Sequence, residues 1–109
     1  MATPTPGKRV RGSKTGRPIM ALLDLLGRRW ALRIVWELRE GPLGFNELQA
    51  RCDGMPPSSL SARLAELAAA GVVEEREGAR ALSSEGRALV TAMAPLHAWA
   101  ERWSARARR

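Results

Sequence analysis

The chain has 109 residues, 45% of them hydrophobic and 27% charged, with a formal net charge of +7 at neutral pH. That length buries one core without staples and leaves no room for a two-domain enzyme. A single cysteine, Cys52, excludes an intramolecular disulfide, and no apolar run approaches the ~20 residues that cross a bilayer, so a cytoplasmic protein without membrane association is expected.

The positive charge sits at the ends. Residues 1–17 carry Lys8, Arg9, Arg11, Lys14 and Arg17 with no acid, and residues 101–109 carry Arg102, Arg106, Arg108 and Arg109 against Glu101, so the stretch between them is close to neutral. Pro, Gly, Ser, Thr and basic residues dominate positions 1–17, too little apolar surface to offset the entropy of ordering, so a disordered basic tail is expected there and a folded domain over 18–106. Basic tails serve polyanion binding or plain solubility, and charge alone does not decide between them.

In chain order, "PIMALLDLLG" predicts a first helix from Pro18, with Ile19, Leu22, Leu23 and Leu26 at helical spacing and Gly27 as its stop. Trp30, Ile34, Val35 and Leu38 form one stripe of a second helix that ends at Gly41-Pro42. A brief extended link over 43–45 leads to a short third helix containing Leu48 and Cys52, which "DGMPP" interrupts. Pro57 suits the first turn of a fourth helix ending before Gly71; Leu60, Leu64 and Leu67 share one side, while Ser58, Ala62, Ala65 and Ala69 lie opposite, flanked by Ser59, Ser61 and Glu66. "VVEER" and "ARALS" pair as a hairpin across Glu77-Gly78. A serine-capped last helix then follows, which Pro95 is expected to bend or restart. The fold class is mostly α with a small β-hairpin.

Chemistry for catalysis is scarce. His97 and Cys52 are the only histidine and thiol, and no phosphate-cradling glycine loop occurs, so neither an enzyme nor a metal or other cofactor is expected. His97, beside Trp99, reads as a surface or interface residue, and Cys52 as a small buried hydrophobe. The third and fourth helices read instead as a helix-turn-helix whose second member exposes small hydroxyl and methyl groups, a face that fits a DNA major groove. An ordinary alanine-rich surface helix has the same composition. On the last helix, Leu89, Met93, Leu96, Ala100 and Trp103 follow four-three spacing, a seam that suits a homodimer with Trp99 and Trp103 as anchors.

"LDLLG" followed by Trp30, "GPLGFNEL", "LSARLAELAAAGVV", "LSSEGRAL" and "HAWAERW" together resemble the HxlR family of bacterial winged helix-turn-helix transcription regulators, over about Leu23 to Trp103. The resemblance implies a dimer on double-stranded DNA, the fourth helix in the major groove, a hairpin wing beside it, and first and last helices forming the dimer interface. On this chain the groove-facing candidates are then Ser58, Ser59, Ser61, Ala62 and Arg63, and Leu22 joins the last helix at the interface. Arg63 has two readings, a phosphate contact or a partner for an acid inside the domain. Arg76, Arg80 and the tail cations Lys8, Arg9 and Arg11 are further phosphate candidates.

The chain departs from the family pattern at three points. Arg17-Pro18 stands where many members carry Cys-Pro, so thiol sensing there is excluded. Pro56 replaces the usual serine cap, leaving Ser59 or water to serve the helix's free donors. The wing is several residues shorter and carries Glu74, Glu75 and Glu77, which disfavours a deep minor-groove probe. The alternative function is therefore a protein-interaction module that keeps the fold without sequence-specific DNA binding. A cleft between dimer helices has room for an apolar effector or is simply packed, and the sequence identifies no inducer.

Overall fold

The computed structural model describes residues 17–108; the tail cations Lys8, Arg9 and Arg11 and most of the expected disordered segment lie outside them. Pro18, whose fixed φ suits a first helical position, opens α1 (Pro18–Leu26). α2 (Ala31–Glu37) starts after Trp30, which takes the left-handed φ of 77°. The second helix is shorter than its apolar stripe predicts. Its last turn tightens into a 3₁₀ turn, Leu38–Glu40, closed by a bond from the Gly41 N–H to the Leu38 carbonyl at 3.2 Å.

α3 (Phe45–Arg51) and α4 (Pro57–Ala69) are joined by a turn in which Asp53 and Gly54 take φ of 57° and 69°. The turn is held from two sides. Gln49 donates to the Met55 carbonyl at 2.9 Å, and Arg33 of α2 donates to the Arg51 carbonyl at 2.6 Å and pairs with Asp53 at 3.1 Å. Glu37, then Asp53, holds the Arg33 guanidinium protonated more firmly than usual.

β1 (Val73–Arg76) and β2 (Ala79–Leu82) form an antiparallel hairpin, Val73 opposite Leu82 and Arg76 opposite Ala79. Glu77 and Gly78, φ 49° and 83°, make the two-residue loop of a type I′ turn, whose twist matches that of the strands. The link before α3 contributes a short third edge: Leu43 and Arg80 exchange backbone bonds of 2.9 and 2.8 Å.

α5 (Ser84–Ala107) is capped by Ser83, whose hydroxyl accepts from the Gly86 N–H at 3.0 Å and faces the Gly71 and Val72 carbonyls at 2.5 and 3.1 Å. The helix does not restart at Pro95, because the missing donor removes one rung among many. The core gathers Ile34, Val35 and Leu38 of the second helical segment with Leu48, Cys52, Met55, Leu60 and Leu67. The architecture is the winged helix-turn-helix expected from the sequence.

The structure sorts the apolar residues of two helices. In α1 the buried positions are Ala21 and Leu25, whereas Ile19 and Leu23 are each 55% exposed and Leu22 is half-buried. A helix apolar nearly all round has no periodic signal to choose its inner face. In α5, Leu89 and Met93 pack against the chain's own core, so the seam expected from spacing divides into a docked half and a free half.

Candidate nucleic-acid interface

α4 is seated by Leu60, Leu64 and Leu67, all nearly inaccessible. That anchoring leaves Ser58, Ser61, Ala62 and Ala65 exposed and Ser59 half-buried. Pro56 offers no side-chain cap, and the first bond into the helix runs from the Leu60 N–H to the Pro56 carbonyl, so the Ser58 and Ser59 N–H groups precede the helical ladder. Small side chains and open donors at a helix N-terminus suit close approach to an anion.

The two flanks of α4 differ. On the wing side, Ser61, Ala65 and Ala68 line a hollow of about 250 Å³ with Phe45, Glu74, Glu75 and Arg80. On the other flank, Arg63 Nη2 pairs with Glu66 Oε1 at 2.7 Å, while Glu66 Oε2 accepts from Arg28 of the α1–α2 turn. Arg63 thus has the internal acid partner that its position at the edge of the leucine stripe offers.

The wing arginines are separated by strand alternation. Arg80 lies on the face toward α4, with its guanidinium 3.7 Å from Glu75. Arg76, four residues away on the facing strand, bonds Glu74 at 2.9 Å and lines a different hollow, of about 220 Å³, with Arg39, Pro42 and Arg87. The pair does not present one cationic surface, and each member is tied to a glutamate. Arg39 and Arg87 lie far apart along the chain and carry no shared local signal in the sequence.

The expected interface residues Leu96, Trp99, Ala100 and Trp103 are exposed, the three large ones by 57, 51 and 62%. Trp99 and Trp103 stack on each other with centroids 5.6 Å apart. With Ile19, Leu23, Leu32 and Leu96 they make up the exposed large apolar residues among the described ones, and all fall on α1, α2 and α5. Between α2 and α5 lies a hollow of about 450 Å³ lined by Leu32, Trp36, Met93, Leu96 and His97. The His97 ring lies 4.8 Å from that of Trp36 and 3.8 Å from Glu101, a half-exposed position. Cys52 is fully buried, and burial pushes its thiol pKa up, away from reactivity. Among the described residues no three His, Cys, Asp or Glu side chains come together as a metal site, and no helix is long and apolar enough to cross a membrane.

The pattern of the HxlR-like helix-turn-helix family matches residues 25–108, from the end of α1 to the end of α5. The chain belongs to that family. This HxlR-like protein is 32% identical over 88 residues to the uncharacterized HTH-type transcriptional regulator YvaP of Bacillus subtilis, a match covering 74% of this chain and 82% of YvaP. Quinone-bound YodB of Bacillus subtilis superposes with a TM-score of 0.72 at 30% identity, over 77% of this chain and 96% of YodB. A protein of Enterococcus faecalis V583 assigned to the MarR family of transcriptional regulators superposes at 0.74 with 25% identity, over 94% and 99% of the two chains. The HxlR-like chain is accordingly a winged helix-turn-helix transcriptional regulator of the DNA-binding kind.

Proposed function

We propose that this HxlR-like regulator acts as a homodimer on a partly palindromic operator, each protomer laying α4 in a major groove. The observation that carries the reading is the outer face of α4, where Ser58, Ser61, Ala62 and Ala65 are exposed while three leucines fix the helix from behind. Serine hydroxyls reach phosphates and base edges, and alanine methyls admit thymine methyls. Arg63 and Arg80 flank that face and supply backbone contacts, with Arg76 on the wing's other side and the tail cations Lys8, Arg9 and Arg11 adding attraction that the acidic wing lacks.

Dimerisation follows from Leu96, Trp99, Ala100 and Trp103 together with α1, surfaces whose exposure in one chain is costly and whose burial against a second copy is not. Two-fold symmetry of the protein then requires pseudo-two-fold symmetry of the site. Selection of binding sequences from random duplex DNA by the purified protein tests this reading. A repeated inverted motif is expected. Recovery of no motif, with salt-sensitive binding to every duplex alike, would replace it with the interaction-module reading.

A further inference from the structure

We propose that Glu66, buttressed by Arg28, is a positioning residue that holds Arg63 ready for a DNA phosphate; the inference rests on the DNA-binding reading of α4. Glu66 divides its two oxygens between two cations. Oε1 lies 2.7 Å from Arg63 Nη2, one turn back along α4, and Oε2 accepts from Arg28 Nη1. Arg28 is 9% exposed and its other terminal nitrogen lies 3.4 Å from Asp24 of α1. The Glu66 carboxylate is therefore gripped from the α1–α2 turn and does not swing with its own side-chain torsions.

Arg63 inherits that fixity without being used up by it. A guanidinium has five N–H donors in a rigid fork. The ion pair with Glu66 engages Nη2, and Nε is buried with no hydrogen-bond partner among the described residues. Nε, being buried, is out of a phosphate's reach, but the side chain is one quarter exposed at the edge of the face that carries Ser59 and Ala62, so donors on the terminal nitrogens remain for an oxygen arriving from solvent. A free arginine on a helix loses rotamer freedom when it grips a phosphate, whereas one already docked on a carboxylate loses less. The two readings of Arg63, internal partner and phosphate contact, are thus one arrangement, in which the first prepares the second.

An ordinary acid beside a DNA-binding surface does the reverse, repelling phosphates, and this difference in sign is what the experiment reads. Duplex affinity and its salt dependence are measured for wild type, Glu66→Gln, Arg63→Ala and the double variant, with thermal unfolding recorded for each. Arg63→Ala is expected to weaken operator and unrelated DNA alike and to make the log–log salt slope shallower by about 0.9 per protomer contact. Glu66→Gln keeps the side-chain shape and is expected to weaken binding roughly 3- to 10-fold where Arg63 is present, and to leave it unchanged or slightly tighter in the Arg63→Ala background. Arg28→Met should repeat that pattern, and the glutamine cycle decides alone if Arg28→Met does not fold. Tighter binding by Glu66→Gln in both backgrounds, or an equal loss in both, overturns the proposal. A wild-type protein that binds no duplex overturns the DNA-binding reading itself, a separate result.

Discussion

Gly86, in the first turn of α5, faces the Val72 carbonyl so closely that a β-carbon built on it would lie 2.2 Å from the oxygen and 3.1 Å from Leu82. This approach seats α5 against the base of the wing, where Ser83 also binds the Val72 carbonyl. Helix propensity alone favours Gly86→Ala by ~1 kcal/mol, because glycine is a poor helix former. The steric clash is with backbone and has no flexible end to yield, so overpacking of about 1–3 kcal/mol or more wins. Thermal unfolding of Gly86→Ala should fall, not rise, by about 4–8 °C per kcal/mol in a domain of this size.

The two halves of α5 should respond differently to truncation. Trp99 and Trp103 are exposed and stacked, whereas Leu89 and Met93 touch the core. Trp99→Ala with Trp103→Ala is expected to weaken dimerisation by about 2 kcal/mol or more, roughly 30-fold in the dissociation constant, with little loss of monomer stability. Leu89→Ala and Met93→Ala should instead lower the unfolding midpoint. Sedimentation across a concentration series distinguishes them, and an unchanged dimer in the tryptophan double variant refutes the interface.

Sequence discrimination should reside in α4. Joint replacement of Ser58, Ser59 and Ser61 by alanine is expected to relax preference by roughly 1–3 kcal/mol per base pair read, with nonspecific affinity little changed. Competition binding between the selected operator and single-base variants measures it. Full retention of preference would move the groove-reading surface elsewhere.

Removal of residues 1–17 should flatten the salt dependence of operator affinity by about two to four units, since five cations lie there and not all engage at once. Equal slopes for the full and truncated chains would make the tail a passive end.

Cys52 gives the pH dependence a sign. Its folded pKa is raised above the unfolded value, chiefly by burial, so the folded state holds the neutral thiol more tightly. The stabilisation is complete below the ordinary thiol pKa of about 8.5 and declines as pH rises above it, because only the unfolded chain then ionises freely. The unfolding midpoint of wild type should fall more steeply above that pH than that of Cys52→Ala, although the variant starts lower through its lost packing. Parallel curves would remove the thiol from the alkaline limb.

Punctuation of the fold was legible in the sequence because it is local backbone chemistry. Pro18 and Pro57 open helices, Gly41 and Gly71 follow helical segments, Glu77-Gly78 turns the hairpin and Ser83 caps α5, each needing only its neighbours to act. The anchoring stripe and outer face of α4 were legible too, since leucine and alanine-serine sides separate at the helical period. Tertiary structure alone decided what each surface meets. It turned Ala21 and Leu25 of α1 inward rather than Ile19 and Leu23, docked Leu89 and Met93 while leaving Leu96, Trp99 and Trp103 bare, and brought Arg28 to Glu66 across 38 residues. It also joined Leu43 to Arg80. Periodicity fixes which residues share a side of one element. The partner of that side depends on packing between elements distant in sequence, and that information is present only when they meet.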